Sequence, residues 1–316
     1  MSTAPFPKEA DGDGRFVRQE SRFRRWVTAD GSSGLRAEPG RYHLYVSLAC
    51  PWAHRTIIVR MLKGLQDVIS MSVVDPLRDE RGWAFTEGRG HGPDPVNGFR
   101  FLSEAYLRTD PDFDGRVTVP TLWDRVTGSV VNNESSEIIR MLNSEFDEWG
   151  DPSVDLYPQA LRAECDAVND FIYPNVNNGV YRAGFATTQA AYEEAVGELF
   201  SALDRLDERL AASRYLVGDR PTEADWRLFT PLVRFDPVYV GHFKCNVRRI
   251  VDYPALSGYL RELYQWPGVA ETVDFDHIKR HYYMTPRTVN PTGIVPVGPA
   301  QHLDAPHGRD ALPTGT

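Results

Sequence analysis

Residues 41–74 read RYHLYVSLACPWAHRTIIVRMLKGLQDVISMSVV, and this stretch decides the fold. Tyr42-His43-Leu44-Tyr45-Val46 is rich in strand formers. The chain then turns at Ser47-Leu48-Ala49 into Cys50-Pro51. Proline suits the first turn of a helix, because the N–H it lacks would be unpaired there anyway. Ile57, Ile58, Met61, Leu62 and Leu65 follow at helical spacing, and Gly64 lies where that helix would end. A second strand is expected over Val68–Val74. Strand, helix and strand within ~30 residues imply a parallel pair with a right-handed crossover.

Working outward, residues 75–116 break the pattern with Gly, Pro, Asp and Arg and read as a long loop, clearest at GRGHGPDPVNG over 88–98. Val117–Trp123 is the next expected strand, interrupted by Pro120. Val126-Thr127-Gly128-Ser129 reads as a hairpin turn into Val130-Val131-Asn132. Asn133 can cap a helix whose stripe is Ile138, Ile139 and Leu142. The order β-α-β then β-β-α is the thioredoxin-like plan. From Tyr157 onward the spacing is helical, over Ala160–Phe171, Ala190–Ala212, Glu223–Phe229 and Leu256–Leu263. The expected organisation is an irregular N-terminal arm (1–40), a thioredoxin-like α/β domain (41–150) and an all-α C-terminal domain (151–316). The Pro- and Gly-rich tail after Thr285 is expected on the surface.

The 316 residues suit two domains, and 41% hydrophobic with 25% charged residues suits a globular chain. No apolar run approaches the ~18 residues of a membrane span, and the first residues lack the pattern of a secretory leader. A net charge of −9 argues against nucleic acid as a partner. Three cysteines far apart in sequence cannot make a disulfide framework, which reads as a cytoplasmic protein with reduced thiols.

The strongest constellation is Cys50-Pro51-Trp52-Ala53 at the strand-to-helix turn. A thiol there meets unpaired backbone N–H groups and the positive end of the helix dipole, and both favour the nucleophilic thiolate. The second is Val119-Pro120-Thr121. In a thioredoxin-like fold a cis proline here faces the active cysteine, and the residue before it offers backbone N–H and C=O to an extended peptide. The third is Glu134-Ser135 at a helix start, where N–H groups and a hydroxyl can hold a carboxylate and Glu134 an ammonium. Together these suit an amino-acid head group. Cys50/His54 and His277/His281 are i,i+4 pairs without an obvious third ligand, so no metal is expected. Cys165 and Cys245 read as structural.

Cys50-Pro51-Trp52-Ala53-His54-Arg55 resembles the active-site motif of glutathionyl-hydroquinone reductases, the Xi class of glutathione transferases. Gly82–Phe85, Thr118–Asp124, Asn132–Ile139, Val180–Phe185, Arg234–Tyr239, His242–Asn246, His277–Tyr283, Asn290–Ile294 and Pro306–Asp310 are similar to that family too. The resemblance spans nearly the whole chain. It implies a glutathione transferase-like fold, glutathione as co-substrate, no metal, an aromatic thioether substrate, and a homodimer built through the helical domains. It implies Cys50 as nucleophile, with Trp83, Arg116, Val117, Thr118, Val119, Glu134 and Ser135 holding glutathione. Tyr181 would donate a proton. Tyr239 and Tyr282 would line the substrate site and favour the thiolate, with Tyr283 the alternative to Tyr282 by a one-residue slip.

Other readings stand beside the reductase. A conjugating transferase activates the bound thiol with a hydroxyl and needs no protein nucleophile, and Cys50 argues against it. The Arg-rich usage suits a GC-rich genome, and some bacteria with such genomes use another low-molecular-weight thiol in the same chemistry. A non-enzymatic binding module is the third, since such folds also serve binding.

Overall fold

Strand β1 (Tyr42–Val46) is buried at every position and lies at the centre of a four-stranded sheet of order β2-β1-β3-β4. It pairs in parallel with β2 (Ser70–Val73), His43 opposite Ser70, and antiparallel with β3 (Thr121–Asp124), which pairs antiparallel with β4 (Ser129–Asn132). The computed structural model describes residues 9–285 and 288–313. The described chain divides into two compact units, one of residues 19–155 and 272–281, the other of 9–18, 156–271 and 282–313.

In the first unit, helix α1 (Pro51–Leu62) starts at Cys50 and has proline in its first turn. It stops as its sequence dictates. Gly64 adopts φ +67°, its N–H donates to Met61 O, and Leu65 N–H donates to Arg60 O, the paired bonds of a glycine-terminated helix. Helix α3 (Ser135–Ser144) packs its Ile138, Ile139 and Leu142 stripe inward.

Three expectations for this unit need correction. Strand β3 begins at Thr121, not Val117. The Thr118 carbonyl accepts from the Tyr106 and Thr121 hydroxyls instead of a neighbouring strand, and Pro120 has no N–H to give. The cap of α3 is Glu134, whose carboxylate accepts from Ser136 N–H. Asn133 is engaged elsewhere: its Oδ1 accepts from Phe23 N–H and its Nδ2 donates to Tyr106 and Thr118. The loop over 75–116 also holds a short helix, α2 (Ser103–Thr109).

The second unit is helical, with α4 (Arg162–Ile172), α5 (Gly179–Gly184), α6 (Gln189–Ala212), α7 (Glu223–Arg234) and α8 (Pro254–Tyr264). Helix α7 opens on a capping box, Thr222 N–H donating to the Asp225 carboxylate. It continues past the predicted Phe229 in spite of Pro231. A proline leaves the carbonyl four residues earlier without its helical donor. Here that carbonyl, Arg227 O, accepts from Asn177 Nδ2 at 2.7 Å. A π-helical turn, Phe235–Tyr239, extends α7.

Helix α9 (Phe275–Met284) was not anticipated, and its residues divide between the units after His281. Nor is the tail wholly superficial: Leu303 and Arg309 are buried, and Arg309 donates to the Leu210, Ser213 and Arg214 carbonyls and to Glu262. Among the described residues no helix is long and apolar enough to cross a membrane.

Candidate active site

Cys50 sits at the N-cap of α1 with extended backbone (φ −79°, ψ 123°), and its side chain makes no capping hydrogen bond. The thiol is therefore not committed to the helix it starts. It donates instead to Val119 O at 3.4 Å, and the Val119–Pro120 peptide is cis. The nucleophile candidate and the proline segment thus meet although 69 residues separate Cys50 from Val119 in sequence. Cys50 is half-buried, whereas Cys165 and Cys245 are fully buried. Burial pushes those two thiols up, Cys165 to about 11 and Cys245 to about 12.

His54, one turn after Cys50, is buried, and its Nε2 is 2.7 Å from Thr272 Oγ1. His277 Nε2 meets Arg89 O at 2.6 Å, and His281 Nδ1 meets Pro76 O at 2.7 Å. All three contacts lie within the first unit.

At the start of α3, Glu134 presents a carboxylate in a buried setting. Burial alone would raise its pKa. The Ser136 N–H and hydroxyl, the Arg55 guanidinium and the Ser21 hydroxyl outweigh that and hold it below the usual range, so it is an anion at neutral pH. Next to it, the Ser135 hydroxyl is buried, and the protein supplies it no hydrogen-bond partner. Buried polar atoms are rarely left so. An orphaned hydroxyl on the first turn of a helix, beside an ionised carboxylate, fits a ligand that carries a carboxylate and an ammonium, as glutathione does.

Of the other residues expected to hold glutathione, Trp83 is buried, with its ring stacked on His281 (centroids 5.0 Å, 23° apart) and the Arg78 guanidinium 5.1 Å from its centroid. Arg116, Val117 and Thr118 are half-buried. Thr118 is tied to Tyr106, whose hydroxyl takes its carbonyl at 2.8 Å, and to Asn133 through its own hydroxyl at 3.2 Å.

In the helical unit three phenols gather from three distant segments. Tyr181, on α5, shares a short hydrogen bond with Tyr282, and Tyr282 meets the Tyr239 hydroxyl at 3.3 Å. Phe243 completes the cluster, stacked on Tyr239 at 5.4 Å and edge-on to Tyr181 at 5.4 Å. Burial raises Tyr239 and Tyr282 well above the ordinary phenol value. Tyr181 adds to this at both, and the Arg234 guanidinium opposes it. Both therefore stay protonated at neutral pH as hydrogen-bond donors. Tyr283 lies apart from the chain of phenols: its hydroxyl donates to Pro237 O and its ring meets His242.

Sequence reasoning missed Ser21, Tyr106 and Asn133 around Glu134 and Thr118, and Phe243 and Arg234 around the phenols. Ser21 and Tyr106 act through contacts with residues distant in sequence; Asn133, read as a cap, turns instead to Phe23, Tyr106 and Thr118; and Phe243 and Arg234 lie close in sequence to Tyr239 but reach Tyr181 and Tyr282 only through the fold.

Comparison with known proteins shows the family. Residues 49–145 match the glutathione S-transferase N-terminal domain and residues 189–262 the glutathione S-transferase C-terminal domain. The chain is 56% identical to glutathionyl-hydroquinone reductase YqjG of Escherichia coli K12 over 304 residues, 94% of this chain and 93% of that protein. It is 55% identical to glutathionyl-hydroquinone reductase PcpF of Sphingobium chlorophenolicum, over 92% of this chain and 91% of that protein. The glutathione-bound structure of YqjG superposes with a TM-score of 0.89, covering 92% of this chain and 96% of that one. The Xi-class transferase of Natrialba magadii superposes at 0.90 with 56% identity, covering 92% and 89%. With a thioredoxin-like sheet whose Cys50 meets a cis proline segment, a helical second unit and relatives this similar over almost their full length, the chain belongs to the Xi class of glutathione transferases, the family of the glutathionyl-hydroquinone reductases.

Proposed function

We propose that this protein reduces S-glutathionyl-hydroquinones to hydroquinones at the expense of glutathione. The Cys50 thiolate attacks the glutathionyl sulfur, and a new S–S bond forms as the aryl C–S bond breaks. The electron pair of that bond passes to the aromatic carbon, which takes a proton from Tyr181. Free hydroquinone leaves and Cys50 remains as a mixed disulfide. A second glutathione thiolate attacks that disulfide at the glutathionyl sulfur, so glutathione disulfide departs and the Cys50 thiolate returns. The aromatic carbon is thereby reduced by two electrons, and two glutathionyl sulfurs, one from the thioether and one from free glutathione, are oxidised to one disulfide.

Residues 41–150 bind the glutathionyl part, with Glu134 on the γ-glutamyl ammonium, Ser135 and the α3 N-terminus on its carboxylate, and the Arg116–Val119 segment along the peptide. Trp83 flanks it. Tyr239 and Tyr282 serve as donors in the aromatic part of the site. The protein works in the cytoplasm as a homodimer joined through residues 151–316.

The observation that carries the reading is the Cys50 thiol. It is the half-buried cysteine, it leaves its helix uncapped, and position 53, where a dithiol enzyme keeps its resolving cysteine, is alanine. A conjugating transferase would need no such thiol. The test is intact-protein mass spectrometry after one equivalent of a glutathionyl-hydroquinone without free thiol. One glutathionyl adduct on Cys50 and one released hydroquinone are expected, with neither in Cys50→Ser. Added glutathione should clear the adduct, and a parallel arm with another low-molecular-weight thiol identifies the better reductant. Absence of the adduct, or a disulfide from Cys50 to Cys165 or Cys245, would overturn the mechanism.

A further inference from the structure

The irregular segment before the first strand is not a passive cover. Its residues 21–25 run antiparallel beside β4: Arg24 bridges Asn132, Arg25 N–H donates to Val131 O at 3.1 Å, and Asn133 N–H donates to Phe23 O at 3.0 Å. The Arg24 guanidinium holds both oxygens of Glu137 on α3, at 2.8 and 2.5 Å. The Phe23 ring stacks on Phe113 at 5.6 Å and meets Tyr106 edge-on at 5.4 Å, and Tyr106 in turn holds the Thr118 carbonyl. All of these residues belong to one compact unit.

The arm ends its contact at the Glu134 carboxylate. One oxygen, Oε1, is held by the residue's own helix, accepting from Ser136 N–H at 3.1 Å and Ser136 Oγ at 2.8 Å. The other, Oε2, accepts from the Ser21 hydroxyl at 3.0 Å, and that hydroxyl also lies 3.2 Å from Asn133 O. A carboxylate oxygen has room for two hydrogen bonds. Ser21 fills one direction on Oε2, which fixes the plane of the group and directs the second lone pair.

We propose that Ser21 is a positioning residue of the glutathione site, orienting Glu134 so that Oε2 receives the ammonium of the γ-glutamyl group. The N-terminal arm is thus part of the binding machinery. This rests on the reading of Glu134 given above. A pre-oriented acceptor avoids the cost of ordering its side chain when ligand arrives, and a charge-assisted bond is sensitive to small misplacement.

The test pairs two ligands, glutathione and its analogue lacking the amino group (glutaryl-cysteinyl-glycine), measured by calorimetry. Ser21→Ala should weaken glutathione by roughly tenfold, in line with loss of one hydrogen bond to a charged group. It should weaken the analogue by no more than about twofold. Ser21→Thr, which keeps the hydroxyl, should restore glutathione binding. Equal weakening of both ligands by Ser21→Ala would reveal a structural role only and overturn the proposal, as would no weakening at all. Glu134→Gln separates the two levels. If it leaves glutathione affinity unchanged, the reading of Glu134 itself fails. If it weakens glutathione while Ser21→Ala does not, only the positioning role fails.

Discussion

The sheet unit builds its functional groups from backbone ends and short polar side chains; the helical unit builds them from large side chains packed on one another. Around Cys50 and Glu134 the partners are Val119 O, Ser136 N–H, the Ser21 hydroxyl and the start of α3. Around Tyr181 they are Tyr282, Tyr239 and Phe243, brought by two further segments. The first kind of group rests on single directed hydrogen bonds, so losing one partner misplaces one group and leaves the rest of the fold as it is. The second depends on every ring in the cluster holding its place, since close-packed interiors transmit small volume changes. The two regions should therefore fail differently when altered.

The largest effect after loss of Cys50 itself is expected at Tyr181. If its phenol protonates the aromatic carbon, Tyr181→Phe should slow hydroquinone release by roughly 10²–10⁴, the range of a positioned acid. The glutathionyl adduct on Cys50 depends on the same step, so it should form equally slowly in a single-turnover experiment. Phenylalanine keeps the ring against Phe185 and Phe243, so packing is preserved. Unchanged turnover would remove Tyr181 from the chemistry and leave the cluster as packing.

That contrast also explains what could be read from the chain. Cys50-Pro51 announces itself, because a proline at a helix start is a local signal, and Pro120 is visible as a proline that interrupts a strand pattern. The β-α-β unit was legible for the same reason, its glycine stop included. Strand β3 was placed four residues early, because the pattern at 117–120 cannot reveal that Tyr106 takes the Thr118 carbonyl. The cap of α3 was placed one residue early, since Asn133 is an equally good cap until Phe23 and Tyr106 claim it. Helix α9 has two basic histidines and few aliphatic residues, so its spacing gives a weak signal. The phenols were named by resemblance alone. No period connects positions 181, 239 and 282, and their meeting is purely tertiary.

Acid sharpens the comparison, because each unit hides a neutral histidine. His43, on β1, lies between Ser70 Oγ at 2.7 Å and Ser72 Oγ at 2.9 Å, and burial lowers it to about 4. His242 packs on Phe243 and Tyr283, and burial, aided by the Lys244 charge, lowers it to about 4 as well. In the unfolded chain each binds a proton near the ordinary value of ~6.5. The stability each contributes is therefore full above that value and lost as pH falls toward 4. At ~1.4 kcal/mol per pKa unit, each site accounts for a few kcal/mol. Urea midpoints measured from pH 7 to pH 4 should fall, and His43→Gln and His242→Phe should each flatten the slope. A slope unaltered in both variants would show that other groups govern acid unfolding.

The smallest effects on activity are expected at the two remaining thiols, and they bear directly on which region holds the chemistry. Cys165 lies on α4 and Cys245 beside Phe243, both fully buried, with thiols pushed to about 11 and about 12. At pH 8 neither forms thiolate in the folded protein, and thiolate is the species that alkylates. Iodoacetamide at that pH should therefore add once, on Cys50, and a second and third addition should appear only when denaturant opens the helical unit. Cys165→Ser and Cys245→Ser, alone or together, should retain most reductase activity. Cys245→Ser should cost about 1–3 kcal/mol of stability, because a hydroxyl replaces a deeply buried thiol, and Cys165→Ser should cost less, because Thr222 stands within hydrogen-bond reach of that position. Loss of turnover in a variant that still melts cooperatively would mean that a buried thiol of the packed unit takes part, and the division between a reactive sheet unit and a proton-donating helical unit would no longer hold.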